Sequence, residues 1–179
     1  MIDVGAYGRQ SDGGTFAYSG LGRAICNNEL LLPPDRALTN GGDPLPLVFV
    51  ADEAFPLRSH LSRPFPGRNV TAVKRNLNYR LSRAGRVVEN AFGILSQRFR
   101  LFQRPIAIAV SNADEIVKCA CALHNFLLPE DNHFRSPVDA QDISMQSMNH
   151  VGGNASTLAM SVRDQFASYF ATDGALLWQ

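Results

Sequence analysis

The sequence predicts an α/β domain, and two kinds of segment support this prediction. Residues 47–52, LVFVAD, form an apolar run that is too short for a helix and is bounded by proline and charged residues, which is typical of a buried strand. Two later segments repeat apolar residues three and four positions apart, as amphipathic helices do. With 179 residues and 45% hydrophobic content, the chain is long enough to bury one sizeable core.

The N-terminal segment pairs glycines with turn residues in VGAYGRQSDGG and becomes helical over FAYSGLGRAICNNEL. This order predicts the end of a strand, then a loop and one helix. After a second loop, the predicted strand LVFVAD ends at Asp52. Open α/β sheets bind their ligands at the carboxyl ends of their strands, so this position makes Asp52 a candidate site residue.

A long helix is predicted to begin near Val70 and to continue through LNYRLSRAGRVVENAFGILSQRFRLF. Its predicted buried face consists of Leu77, Leu81, Ala84, Val88, Phe92, Leu95 and Phe99. Glu89 lies off this face, and Gly85 and Gly93 lie one turn away on its own side. Because a glycine inside a helix costs about 1 kcal/mol relative to alanine, we expect another backbone or a ligand to approach Glu89 closely.

A second helix is predicted over ADEIVKCACALHNFLL, with Asp114 and Glu115 in its first turn, where acids suit the helix dipole. Cys119, Cys121 and His124 are spread around this helix. A metal site would need its ligands on one side, so we expect small core residues and a hydrogen-bonded histidine instead.

The chain is expected to form one domain interrupted by a linker. Residues 1–128 hold the patterned segments, residues 129–157 are polar without sustained periodicity, and residues 158–179 end the same domain with a short amphipathic helix and Trp178 as a packing anchor. No stretch reaches the roughly 18 uninterrupted apolar residues of a membrane helix, and the N-terminus lacks a signal-peptide pattern. The three cysteines include no CxxC pair, which argues against a disulfide framework. These features predict a soluble protein of the nucleus or cytoplasm.

Charge is concentrated in one stretch of the chain, although the net charge is only +1. Residues 58–104 contain eleven basic residues, ten of them arginine, and one acid, Glu89, whereas the rest of the chain carries 6 basic and 15 acidic residues. Arginine forms bidentate contacts with phosphate and keeps its charge, so a polyanion is one partner that this stretch predicts. A solvated helix face that pairs with the acidic remainder explains the same pattern, and the charge alone leaves both readings open.

Asp52 and Glu89 together suggest a chemistry for the basic stretch. Carboxylate oxygens are hard ligands that hold Mg²⁺ or Mn²⁺, and such metals activate water and stabilise the leaving oxygen when a nucleic acid is cut. Surrounding arginines would hold the phosphate backbone in position without reading its sequence. Two carboxylates at this separation are also common as surface acids or as partners of arginines, so the pair does not decide the function by itself.

Four blocks carry a resemblance to a known family: DVGAYGRQSDGGTF, VADEAFPL, LNYRLSRAGRVVENAFGILSQRFRLF and CALHNFLL. Their order and spacing resemble the Harbinger-type DDE transposases and their domesticated nuclease relatives, and the closing RDQFASYF and GALLWQ are similar to the end of that family. The resemblance implies a ribonuclease-H-like fold, with a mixed sheet flanked by helices. It also implies a DNA endonuclease that uses Mg²⁺ or Mn²⁺, in many members together with a separate Myb-like DNA-binding protein.

The same resemblance assigns roles to particular residues. Asp52 in VADEAFPL and Glu89 in VVENAFG match the second and third catalytic carboxylates, which are metal ligands in the family. The arginines expected among the DNA contacts are Arg80, Arg83, Arg86 and Arg98.

Two departures from the family pattern limit these expectations. The family's first catalytic aspartate lies on a strand before the block that DVGAYG resembles, and this chain begins at Met1, so we expect that strand and its carboxylate to be missing. Asp12 belongs to the SDGG loop, which the family has in addition, and Gly85 stands where relatives commonly carry arginine. We therefore expect weak binding of a single metal ion and an exposed edge on LVFVAD.

The sequence leaves two further readings open. One is a non-catalytic transposase remnant that binds DNA or a protein partner through the basic stretch 58–104. The other is a scaffold domain whose arginines pair with its own acids, which four matching blocks disfavour. The DNA target sequence and the oligomeric state, including a homo-oligomer, are not set by these patterns.

Overall fold

The structure is a computed structural model that describes residues 2–39, 41–127 and 155–175. Within these ranges the chain is a mixed helix and sheet protein with five α-helices, one short 3-10 helix and two two-stranded sheets. Most of the predicted linker, residues 129–154, and the predicted anchor Trp178 lie outside the described residues.

The chain divides into two compact units. The first unit comprises residues 10–85 and 147–179, and the second unit comprises residues 1–9 and 86–146. A single long helix belongs to both units, because its residues continue across position 85.

The N-terminal helical segment forms two short helices, α1 (Asp12–Tyr18) and α2 (Gly20–Cys26). Ser19 separates them with an extended backbone (φ −67°, ψ 157°), and its hydroxyl accepts a hydrogen bond from Gly22 N at 2.9 Å. At Gly22 a Cβ atom would lie 1.8 Å from the carbonyl oxygen of Phe16, so the turn requires glycine there. The prediction of one helix is therefore right in position but wrong in continuity, because a serine cap interrupts it.

The strands of the first unit are short. Antiparallel strands β1 (Arg36–Ala37) and β2 (Pro44–Leu45) form one sheet, and parallel strands β3 (Phe49–Val50) and β4 (Leu61–Ser62) form the other. LVFVAD does contain a strand, β3, but Phe49 is 40% exposed and Val50 is 43% exposed. The predicted burial of this strand is wrong, because in the described part of the chain β3 belongs to a sheet of two strands, which is too small to bury its side chains.

The predicted strand end before the SDGG loop is not formed, since residues 2–7 adopt no regular structure. In the described residues the observed sheets have two strands each. The wider ribonuclease-H-like sheet stays a prediction.

The core of the first unit lies between the long helix α3 (Ala72–Arg98) and the C-terminal helix α5 (Thr157–Ala171). Leu77, which is 1% exposed, and Leu81 pack with Phe65 and Ala167. Val70, Phe166 and Phe170 extend this cluster. Polar groups reinforce the contact, because the Asn78 side chain accepts from Phe65 N at 2.7 Å and donates to Phe65 O at 3.0 Å. This pairing satisfies the backbone of a buried segment that belongs to no sheet.

The apolar face predicted for α3 is only partly buried. Leu77, Leu81 and Leu95 are buried as predicted, whereas Val88 is 56% exposed and Phe92 is 65% exposed. The prediction is wrong at these two positions and at Ala84, which is also exposed, because the core partners Phe65 and Ala167 pack near the N-terminal half of α3. Helical periodicity identifies a face that can be buried, and the neighbours decide where it is buried.

The second unit contains the C-terminal part of α3, a 3-10 helix (Arg100–Gln103) and α4 (Val110–Leu127). The helix α4 begins at Val110, three residues before the predicted start at Ala113, so Asp114 and Glu115 lie beyond its first turn. Cys119 is exposed and Cys121 is half-buried, which corrects the expectation that both are core residues. His124 is buried as predicted.

The hydrogen-bonded histidine is confirmed. Arg98 Nη1 lies 3.5 Å from His124 Nδ1 and donates to the His124 carbonyl oxygen at 3.4 Å. The described residues contain no group of three or more histidine, cysteine or acidic side chains that could hold a metal ion. None of their helices is both long and apolar enough to cross a lipid bilayer.

The core packing predicts a large difference between two substitutions in α3. Leu77→Ala should lower the free energy of unfolding by about 2–5 kcal/mol, because it leaves a cavity in a fully packed cluster. Val87→Ala, at a residue that is 69% exposed, should change it by less than about 0.5 kcal/mol. Urea unfolding followed by circular dichroism measures both values, and equal effects would contradict the packing described for Leu77.

Candidate metal and nucleic-acid site

Asp52 lies two residues after β3, in a tight turn that ends at Phe55. Phe55 N donates to the Asp52 carbonyl oxygen at 3.3 Å, and Ala54 N donates to Asp52 Oδ1 at 2.8 Å. The side chain thus binds its own turn with one oxygen, in the manner typical of aspartate. Because Asp52 is exposed, its second oxygen remains accessible to a ligand.

The Asp52 turn, residues 52–55, is bound by Arg63, the residue that follows β4. Arg63 Nη1 donates to the carbonyl oxygens of Glu53 and Phe55, each at 3.0 Å. The parallel pairing of β3 with β4 brings these two segments together, because the turn follows one strand and Arg63 follows the other. Sequence reasoning missed Arg63, since nothing in its spacing from Asp52 indicates the contact.

Glu89 lies on the exposed side of α3, in the unit formed by residues 1–9 and 86–146, whereas Asp52 belongs to the other unit. No hydrogen bond or ion pair joins the Glu89 side chain to the part of the chain that the structure describes. A Cβ atom at Gly85 or Gly93 would meet nothing within 4 Å. The predicted close approach to Glu89 is therefore not found among the described residues, and the two glycines leave this helix face open.

Two of the four arginines predicted to contact DNA, Arg80 and Arg98, donate to backbone carbonyl oxygens of the chain. Arg80 Nη2 donates to the Gly174 carbonyl oxygen at 2.6 Å, and its guanidinium carbon lies 4.4 Å from the centre of the Phe170 ring. Arg98 donates to His124, as described above. Both guanidinium groups are half-buried, so they stabilise the packing of α3 against its neighbours.

The other two predicted DNA contacts differ from each other in exposure. Arg83 is exposed and donates to the Tyr79 hydroxyl at 3.2 Å, whereas Arg86 is half-buried. Further exposed basic residues of the stretch 58–104 are Arg58, Arg68, Lys74, Arg75, Arg100 and Arg104. The basic stretch therefore presents several cations to solvent even though part of it serves the fold.

Comparison with known families gives one match. A family model described as a DDE superfamily endonuclease matches residues 1–125, a range that includes both Asp52 and Glu89. No curated protein and no solved structure matches the chain.

The contacts of the arginines predict stability effects of different size at Arg80 and Arg83, which lie one helical turn apart. Arg80→Met should lower the free energy of unfolding by about 1–3 kcal/mol, because it removes a charged donor and leaves the Gly174 carbonyl oxygen without it. Arg83→Met, at an exposed site, should change it by less than about 0.5 kcal/mol. Both variants lose one positive charge, so any difference in urea unfolding reports the internal contacts of Arg80 and not the charge.

Proposed function

This chain belongs to the DDE superfamily endonucleases, and we propose that it is a Harbinger-type, transposase-derived nuclease domain that cuts DNA with Mg²⁺ or Mn²⁺. The observation that carries the proposal is the family match over residues 1–125 of 179. It covers three of the four blocks whose order and spacing resemble the Harbinger-type members, together with the first five residues of the fourth block, CALHNFLL. Those blocks contain the two carboxylates assigned to catalysis, Asp52 and Glu89.

Asp52 and Glu89 are proposed as metal ligands, and the local setting of each supports that role. Endonucleases of this superfamily generally use divalent metal ions. Both side chains are exposed, and carboxylate oxygens are the donors that Mg²⁺ and Mn²⁺ prefer. Asp52 uses Oδ1 for Ala54 N and keeps Oδ2 for a ligand.

The proposed reaction is hydrolysis of a phosphodiester bond. A bound divalent ion would activate the attacking water and stabilise the leaving oxygen. The contribution of the chain is to supply negative ligands for the ion and positive groups for the DNA backbone. A nuclease domain implies a DNA substrate, and the exposed arginines of the stretch 58–104 suit phosphate contacts that position DNA without reading its sequence.

Further parts of the proposal rest on the same resemblance. We propose a ribonuclease-H-like arrangement of the domain, a nuclear or cytoplasmic location, and a separate Myb-like DNA-binding protein as a partner. A homo-oligomer is compatible with this proposal. The observed helices and two-stranded sheets are consistent with an α/β fold.

The metal site is tested by titration calorimetry with Mg²⁺ and Mn²⁺. The parent chain should bind metal, and the Asp52→Ala, Glu89→Ala double variant should lose at least tenfold in affinity, because it removes both proposed ligands. The matched control is Asp35→Ala, Asp43→Ala, which removes two exposed acids outside the proposed site. Equal loss in both double variants would show that general negative charge attracts the metal.

Cleavage is tested on supercoiled plasmid DNA with Mn²⁺ and with EDTA. Metal-dependent nicking that is lost in Asp52→Ala and in Glu89→Ala supports the nuclease. DNA binding without nicking, in a chain that binds no metal, would favour the second candidate function, a transposase remnant that holds DNA. The observation in favour of that candidate is the number of exposed basic residues in the stretch 58–104, which does not depend on either carboxylate.

Both functions require binding to phosphates, so the DNA affinity should fall steeply with salt. For each phosphate contact that a variant loses, the slope of log K against log salt should become shallower by about 0.9. We expect this change for Arg83→Ala at the exposed site. A slope that is unchanged in Arg83→Ala, measured by fluorescence anisotropy on duplex DNA, would remove Arg83 from the binding surface.

A further inference from the structure

The direction of the Asp52 carboxylate depends on a backbone amide two residues further on. Ala54 N donates to Asp52 Oδ1 at 2.8 Å, so the position of Ala54 sets which oxygen turns outward. An exposed aspartate otherwise moves among several rotamers. Any group that fixes Ala54 therefore also orients the carboxylate.

Arg63 fixes the backbone on both sides of Ala54. One nitrogen, Nη1, donates to the carbonyl oxygens of Glu53 and Phe55, each at 3.0 Å. The Nε atom of Arg63 is buried and has no hydrogen-bond partner among the described residues. A buried donor without a partner is unfavourable. The guanidinium therefore keeps an orientation that forms the two hydrogen bonds to the turn although its Nε remains unpaired.

The N-terminus of α1 supports the same turn from another side. A Cβ atom at Gly13 would lie 2.5 Å from the Ala54 carbonyl oxygen, a distance that real Cβ atoms do not reach. The rings of Phe16 and Phe55 meet edge to face, with 5.3 Å between their centroids. The SDGG segment therefore packs directly on the backbone of Ala54.

We propose that Arg63 and Gly13 are positioning residues that orient the Asp52 carboxylate for its ligand. Neither residue contacts the ligand in this proposal. Arg63 acts through its hydrogen bonds to carbonyl oxygens of the turn. Gly13 acts because its missing side chain lets the Ala54 carbonyl oxygen pack closely against α1. The inference rests on the proposed function, because it assigns to Asp52 the role of a metal ligand.

The first test measures the turn itself, without metal, through the hydrogen exchange of the Ala54 amide by NMR. Arg63→Met should speed this exchange roughly tenfold, because the two bonds that fix the turn are lost. The matched control Arg58→Met removes an exposed arginine of the same segment and should leave the exchange unchanged. Circular dichroism establishes that each variant is folded.

A second variant tests the other side of the turn and does not depend on Arg63. Gly13→Ala should also speed the exchange of the Ala54 amide, because the added methyl group displaces the turn. Helix propensity alone predicts slower exchange of the Ala54 amide, since alanine stabilises a helix relative to glycine. Gly20→Ala is the control, because a Cβ atom at Gly20 meets nothing within 4 Å.

The functional test is Mn²⁺ binding followed by electron paramagnetic resonance. Arg63→Met and Arg58→Met each remove one positive charge, which by electrostatics alone leaves the Mn²⁺ affinity unchanged or raises it. A positioning role for Arg63 predicts a different result: the Mn²⁺ affinity should fall about tenfold in Arg63→Met and stay unchanged in Arg58→Met. A tenfold loss of affinity is the lower end of the range for residues that orient metal ligands. The Mn²⁺ spectrum should change with it, because the ligand field depends on the carboxylate orientation.

The outcomes separate this inference from the proposed function. Parental Ala54 exchange and parental Mn²⁺ affinity in folded Arg63→Met and Gly13→Ala would overturn the positioning role. A parent chain that binds no Mn²⁺ would overturn the metal site, and the Ala54 exchange would then decide alone whether Arg63 and Gly13 orient Asp52. Faster exchange together with weaker Mn²⁺ binding, absent in both controls, supports the inference.

Discussion

The packing of α3 on Phe65 is the contact on which the unit around Asp52 depends. Leu77 and Leu81 bury Phe65, and the Asn78 side chain binds both backbone groups of Phe65. Arg163 of α5 donates to the neighbouring Pro64 carbonyl oxygen at 3.4 Å, and burial lowers the pKa of its guanidinium. The segment 63–65 is therefore fixed from two helices. Arg63 extends from this fixed segment to the Asp52 turn. The segment 63–65 therefore connects the hydrophobic core to the turn that carries Asp52.

The same helix continues into the other unit and carries Glu89 there. Its N-terminal half is held by Phe65 and α5, and its C-terminal half is held by Leu95 and by the contact of Arg98 with His124. Between these anchors the helix is unbroken despite Gly85 and Gly93, and Glu89 lies in this middle portion with exposed neighbours. A carboxylate on such a portion is accessible and keeps a defined backbone, two properties that a ligand for metal ions needs.

Periodicity and composition predicted the helical regions well, because each of α3, α4 and α5 buries one face. They failed where a local cap or a missing neighbour overrides the pattern. Ser19 ends a helix inside a helical sequence, and Val88 and Phe92 stay exposed on a face that reads as core. The roles of the two carboxylates stay a prediction that rests on the matching blocks. Arg63 could not be predicted, because its contact with the turn arises from strand pairing and not from sequence spacing.

The arginines of the basic stretch divide into two groups, and this division limits how the chain can recognise DNA. Arg63, Arg80 and Arg98 use their guanidinium groups for carbonyl oxygens of the chain itself. They still contribute positive charge at long range, which attracts a polyanion, but their half-buried guanidinium groups are held by contacts within the chain. In the proposed function, direct phosphate contacts therefore fall to the exposed group that includes Arg83. Such contacts position a duplex without reading it, so a choice of target sequence requires base contacts from other residues or from a partner protein.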